Sequence, residues 1–200
     1  MLFIVSGPSG CGKSTLIQAV LSSLEGTRFS VSHTTRPRRE NEEEGLDYFF
    51  VSRAQFERLI KGGAFLEWAK VHGHYYGTSK KEIEQKRKEG DVLLDIDVQG
   101  ARQVKDRSRG AVFIFVVPPG YAELRRRLEE RGQNSPHSIE HRLRVAKQEI
   151  QSYPMFDYVV INDRLETAVE ELRAIILSCR CRRANREKVL DPVLRSFEEG

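Results

Sequence analysis

Gly7-Pro8-Ser9-Gly10-Cys11-Gly12-Lys13-Ser14, with Thr15 after it, matches the spacing G-x-x-x-x-G-K-[ST]. Glycines at these positions free the backbone to turn its N–H groups inward, so that several converge on one anion at a helix N-terminus. Lys13 then reaches the outer phosphates of a nucleoside triphosphate, and the Ser14 hydroxyl ligates magnesium. The flanks agree. Residues 2–5 are apolar and β-branched, as a buried strand is, and residues 16–21 carry apolar side chains at helical spacing. Strand, glycine turn and helix in that order is the setting this motif needs, so the chain is expected to bind ATP as a phosphoryl donor with Mg2+.

Other residue sets point to a second anion. Asp95 and Asp97 end an apolar run, where a phosphate-loop fold places a magnesium-organising carboxylate; either acid would serve, through water. Arg36 and Arg39 flank a polar loop, with Tyr48 and Tyr76 on neighbouring strands. Guanidinium forks grip phosphate oxygens in pairs, and tyrosine hydroxyls complete the shell. Glu67 is a lone acid among Phe65, Leu66 and Trp68, and a buried carboxylate needs donors. A guanine edge offers two in parallel; adenine offers a bare ring acceptor. Arg131 and Arg142 lie on a charged helical hairpin that reads as a lid, placed to fold over the transferring phosphoryl. Arg125, Arg126 and Arg127 read as a solvated helix face, as does the basic stretch 180–186.

These groups require a scaffold. The 200 residues suit one compact α/β unit, and the charge of +4 fits a site that neutralises several phosphates. Three cysteines provide no disulfide framework and point to a reducing cytoplasm. No apolar run is long enough to span a membrane, and the basic stretch 180–186 reads as solvent-facing, so neither membrane nor nucleic acid is an expected partner. Strands are predicted at 2–5, 28–32, 47–51, 65–71, 74–78, 92–97, 111–117 and 158–161. Ser52 with Gln55 caps one helix, and Ser79 with Glu82 caps another that stops at Gly90. Two helices follow between 121 and 150, joined at 131–136, and a last helix from Leu165 frays into basic residues. The pattern is a phosphate-loop core with a parallel sheet flanked by helices (1–32, 91–124, 151–200). An inserted lobe of antiparallel strands and short helices occupies 33–90, and the helical lid 125–150.

Together these residues make a set that resembles the bacterial guanylate kinases from end to end. The resemblance rests on Ser32-His33-Thr34-Thr35-Arg36 with Arg39, Asp47-Tyr48-Phe49-Phe50, Phe65-Leu66-Glu67-Trp68 and Tyr75-Tyr76-Gly77-Thr78. It continues through Leu94-Asp95-Ile96-Asp97-Val98-Gln99-Gly100, Arg131-Gly132, His141-Arg142-Leu143 and Val160-Ile161-Asn162-Asp163. It implies magnesium-dependent transfer of the terminal phosphoryl of ATP to GMP, and to dGMP, by a monomer or homo-oligomer. Arg36, Arg39, Tyr48 and Tyr76 would hold the GMP phosphate. Ser32, Glu67, Thr78 and Asp97, with Gly77 beside them, would face guanine. Residues 7–15 would hold the ATP phosphates, Asn162 would lie near the ATP base, and Arg131 and Arg142 would be the lid arginines. One departure stands out. The family loop reads Arg, any residue, Pro, Arg, whereas here Arg36-Pro37-Arg38-Arg39 leaves Arg38 and Arg39 both open as the second phosphate ligand. The rival reading is a guanylate-kinase-like binding module without catalysis, which a complete ATP loop argues against.

Overall fold

The computed structural model describes residues 1–71, 73–130 and 136–198. Arg131, Gly132 and Ser135 lie outside them, and so does His72.

The central strand is β1 (Leu2–Ser6), buried along its whole length. An all-apolar run is what a strand covered on both faces requires. Phe3 and Val5 face one layer, with Leu16, Ile17 and Val20 of α1 (Lys13–Ser23) and Leu172 and Ile176 of α7 (Leu165–Arg180). Leu2 and Ile4 face the other, with Ile83 of α3 (Lys80–Arg87) and Val98, Ala101 and Val104 of α4 (Val98–Arg107). Around β1 run β2 (Thr27–Phe29), β7 (Asp91–Asp95), β8 (Val112–Val117) and β9 (Tyr158–Ile161), in the order β2-β7-β1-β8-β9. Every pairing in this sheet is parallel. All its strands therefore end on one edge, and the phosphate loop and Asp95 lie on that edge.

A second sheet carries the lobe, in the order β4-β3-β6-β5: β4 (Tyr48–Phe50), β3 (Ser32–Thr34), β6 (His74–Ser79) and β5 (Phe65–Val71). Two expectations are corrected here. The strand predicted at 28–32 is two strands in different sheets. Thr27–Phe29 pairs with β7 in the core, and Ser32–Thr34 pairs with β4 and β6 in the lobe. Alternation along the chain carries no mark of a change of partner. The lobe is also not all antiparallel, since β3 and β4 run parallel, Ser32 opposite Tyr48. The loop between them, residues 35–47, is long enough to return the chain to the same end.

The capping expectations agree with the structure. Ser52 and Gln55 form a reciprocal capping box on α2 (Arg53–Lys61), and the Ser79 hydroxyl accepts the Glu82 N–H at the start of α3. Phe56, fully buried, carries α2 onto the lobe sheet, with its ring 4.6 Å from Phe65 and stacked on Tyr75. The hairpin of α5 (Tyr121–Glu130) and α6 (Pro136–Glu149) has a small core of its own, from Leu124 and Leu128 to Ile139, Leu143 and Ala146. The C-terminal stretch does not fray. After α7 the chain forms α8 (Arg183–Glu198), exposed throughout its described side chains, while Arg180 packs inward onto Asp91, Thr27 and the Glu25 carbonyl. No helix among the described residues is long and apolar enough to cross a membrane.

Where β2 and β7 begin, Gly90 and Gly26 meet backbone to backbone. A Cβ on Gly90, whose φ is +157°, would lie 2.2 Å from the Gly26 carbonyl oxygen. Gly90→Ala is therefore expected to destabilise the protein by about 3 kcal/mol, read as a lower urea midpoint with an unchanged slope.

Candidate active site

The P-loop is held from below. Gly7 (φ +148°) lies so close to β8 that a Cβ would fall 2.0 Å from the Val116 carbonyl oxygen; only glycine fits. Gly12 (φ +93°) caps α1 with no side-chain partner for the first-turn N–H groups, which are left for a ligand. The Cys11 side chain belongs to the core, and its carbonyl accepts Asn162 Nδ2 at 2.8 Å and Arg127 Nη1 at 3.3 Å. Arg127 also reaches the Asn162 carbonyl at 2.9 Å and Glu123 at 2.7 Å. These bonds bear on two sequence expectations. Asn162, expected near the ATP base, is 95% buried beneath the loop and braces it. Arg127 is not a solvated side chain but a second brace. Arg125 and Arg126 do lie on the surface, paired with Glu140, Glu129, Glu123 and Glu130.

Lys13 Nζ donates to the Gly7 carbonyl at 2.6 Å. Burial works against its charge, but Cys11, Asp95, Glu149 and Asp97 outweigh that and hold its pKa above the usual lysine value. Ser14 Oγ donates to Asp95 Oδ2 at 3.2 Å. The expected strand 92–97 ends at Asp95, and Asp97 is instead the N-cap of α4, accepting the Gly100 N–H at 2.8 Å. The two acids therefore do not share a strand face; both still line the cleft. Burial raises the pKa of each, although Lys13 opposes it.

That cleft, of about 630 Å³, runs from the P-loop to the lobe. Of the predicted residues, Gly7, Ser9, Gly10, Gly12, Lys13, Ser14, Ser32, Arg36, Arg39, Tyr48, Glu67, Tyr76, Asp95, Asp97 and Arg142 line it. Arg39 is among them and Arg38 is not. Pro8, Thr15, Gly77 and Thr78 are not in the lining either. Gly77 serves packing, since a Cβ would touch Phe56 and Trp68 at 3.0 and 3.1 Å. Thr78 lies one layer deeper and donates to Glu67.

At the far end Arg36 sits over the Tyr48 ring and donates to Glu42 Oε1 at 2.6 Å. Glu42 also takes the Arg39 N–H at 3.0 Å. Its pKa is lowered: burial opposes the charge, but the two arginines prevail. Burial pushes the Tyr48 hydroxyl up to about 12, so it remains a donor. Glu42 is a residue that sequence reasoning passed over, as one of four acids in the loop 40–45.

Glu67 is only 3% exposed. A shift of register in β5 between Phe65 and Glu67 sets it opposite Thr78, the local re-aiming that a bulge produces. Gln103 and Arg107 of α4 bond the Trp68 and Leu66 carbonyls at 2.7 and 2.9 Å, fixing β5 against the core. Gly100 is a further missed residue: a Cβ there would lie 2.4 Å from Glu67 Oε2. A glycine inside a helix was the available signal. Burial pushes the Glu67 carboxyl up to about 7, with the Thr78 hydroxyl pulling down and the Asp97 charge pushing up.

A P-loop on a parallel sheet, facing a lobe that sets arginines, tyrosines and a buried acid across one cleft, defines a P-loop nucleotide kinase. The family follows from comparison: the guanylate kinase family model matches residues 1–179, and the chain belongs to that family. Guanylate kinases of Geobacter sulfurreducens and Thermotoga maritima are 46% and 47% identical to it, covering 98% and 94% of this chain and 96% and 92% of their own. That of Neisseria meningitidis serogroup A is 49% identical over 92% of this chain and 90% of its own. The crystal structure of guanylate kinase from Anaplasma phagocytophilum superposes with a TM-score of 0.78 at 32% identity, covering 96% of this chain and 94% of that one.

The bracing of the loop is testable without substrate. Asn162→Ala deprives the Cys11 carbonyl of its shorter hydrogen bond and is expected to cost about 1–2 kcal/mol. Urea unfolding in nucleotide-free buffer measures this, and the exposed Arg126→Ala change should leave the midpoint within error.

Proposed function

We propose that in this cleft the chain carries out its family's reaction, moving the terminal phosphoryl of ATP onto GMP to give ADP and GDP, and that the residues divide the work as follows. The P-loop N–H groups and Lys13 hold the ATP phosphates. Arg36 and Arg39, with the Tyr48 and Tyr76 hydroxyls, hold the GMP phosphate in the place where Glu42 now meets the same arginines. Ionised Glu67 accepts the two guanine donors, with Ser32 and Asp97 beside it. Arg142 approaches from α6. Arg131, the other lid arginine of the sequence reading, lies outside the described residues.

One observation carries this reading: cations from the P-loop, the lobe and α6 line a single cleft with a buried acid at its far end. The acceptor is a phosphate with a second pKa of about 6, already largely ionised at neutral pH. It needs no general base. What opposes reaction is repulsion between two polyanions, and the cations offset it while stabilising charge on the transferring group. The donor set also suits magnesium. Ser14 Oγ and the Asp95 carboxylate are hard oxygen ligands already bonded to each other, with Asp97 nearby, and Mg2+ favours such groups with water between. When bound, magnesium would neutralise charge on the ATP phosphates.

A coupled ADP-release assay with GMP, dGMP, AMP and pyrimidine monophosphates tests the acceptor. GMP should be strongly preferred, and equal use of AMP would remove Glu67 from the base site. Lys13→Ala should lower turnover by about a thousandfold or more while calorimetry still detects GMP binding.

The pH dependence has a definite sign. The form of Glu67 that receives guanine is the ionised one, and its pKa in the free protein is about 7. Binding therefore expels a proton near neutrality, and KM for GMP should rise as pH falls below about 7. Calorimetry in two buffers of different ionisation enthalpy reads the released proton. Glu67→Gln should abolish the portion due to this carboxyl, leaving only what the GMP phosphate itself contributes.

A further inference from the structure

Gly100, Gln103 and Arg107 fall at i, i+3 and i+7 along α4 and so share one face of that helix. Each meets β5 at Glu67 or beside it. Arg107 Nη1 donates to the Leu66 carbonyl at 2.9 Å, in the peptide that precedes Glu67. Gln103 Oε1 accepts the Trp68 N–H at 3.4 Å, in the peptide that follows it, and Gln103 Nε2 donates to the Trp68 carbonyl at 2.7 Å. β5 is the edge strand of the lobe sheet, and the Gln103 amide serves it as a strand partner would. The backbone on both sides of Glu67 is therefore tied to α4.

Gly100, buried one turn earlier, faces the Glu67 carboxylate itself. That carboxylate has little freedom to move. Thr78 Oγ1 donates to its Oε1, and the residue is 3% exposed. A Cβ on Gly100 would lie 2.4 Å from Glu67 Oε2, 3.1 Å from its carboxyl carbon and 3.3 Å from Asp97 Oδ1, the other acid read as facing the base. To reach ordinary van der Waals contact the carboxylate would have to shift by about 1 Å, and a misplacement of that size can cost up to about a hundredfold. Alanine is the better helix former at such a position, so what glycine contributes here is room.

We propose that Gly100 and Gln103 are positioning residues for acceptor choice: Gln103 fixes the backbone that carries Glu67, and the bare Cα of Gly100 leaves the space in which the carboxylate points at the base. The inference rests on the reading of Glu67 as the guanine acceptor, and it names the residues that aim it. A side chain at position 100 leaves Glu67 in the strand but turns its carboxylate aside, which weakens the discrimination between a base with two donors and one with a bare acceptor.

Steady-state kinetics on the full chain, with ADP release followed for GMP and for AMP, is the test. Gly100→Ala should raise KM for GMP about tenfold and lower the GMP-over-AMP ratio of kcat/KM about tenfold, with KM for ATP unchanged to within about twofold. A purely structural role would lower the active fraction, and so kcat for both acceptors alike, leaving KM and the ratio unmoved. The same change in a Glu67→Ala background should alter KM for GMP by no more than about twofold, because the added methyl group then meets no carboxylate. An unchanged KM and ratio in Gly100→Ala, or an equal effect with and without the Glu67 carboxyl, overturns the proposal. Should Gly100→Ala fail to fold, Gln103→Ala, which frees the Trp68 peptide, should raise KM for GMP about threefold at unchanged KM for ATP. No rise there overturns the proposal equally. If Glu67→Ala by itself leaves KM for GMP and the acceptor ratio unaltered, the base-site reading fails, and this inference with it.

Discussion

Phosphates repel one another, and so do the cations gathered to hold them. On the reading proposed above, bringing two nucleotide phosphates within reacting distance keeps Lys13, Arg36, Arg39 and Arg142 around one cleft, and all four line it. Unopposed, such a concentration of positive charge in a partly desolvated site would destabilise the folded chain. The structure answers with its own carboxylates. The charges of Asp95, Glu149 and Asp97 act on Lys13, and Glu42 takes Arg36 and Arg39. On the proposed reading, both phosphate sites thus have carboxylates of the chain near their cations.

The sheets make this arrangement possible by keeping the two ends on separate supports. The donor end rests on β1, β7 and β8, whose continuous burial makes it rigid, and Asn162 and Arg127 brace the loop through the Cys11 carbonyl. The acceptor end rests on the second sheet. The chain passes from one to the other over two residues, Ser30 and Val31, and α4 rejoins them through Gln103 and Arg107. These hydrogen bonds, with Leu66 of β5 packed against the core of the first sheet, hold the base end in register.

The buried acid shows how specificity can be built from strain on a charge. Glu67 is enclosed by Thr78, by the bare face of α4 at Gly100 and by the lobe sheet, so its ionised form is poorly solvated before any ligand arrives. A base that supplies two donors relieves this; one that supplies an acceptor makes it worse. On the proposed reading, discrimination between bases then arises from the poor solvation of this acid.

Local sequence sufficed wherever a few adjacent residues set backbone geometry or periodicity. The glycine spacing of 7–14, the unbroken apolar runs of the parallel strands, the Ser52–Gln55 cap and the chemical types gathered in the cleft were all legible, because each depends on neighbours within one turn or one strand. Tertiary structure decided the rest. It divided residues 28–34 between two sheets, set β3 and β4 parallel, moved Asp97 from strand to helix cap, and turned Arg127 and Asn162 into braces for the loop. It alone brought Gly100 to Glu67. The physical reason is common to all of these: a side chain's type and spacing fix what it can bond, but its partner is set by packing between segments far apart in the chain, and no local periodicity records that.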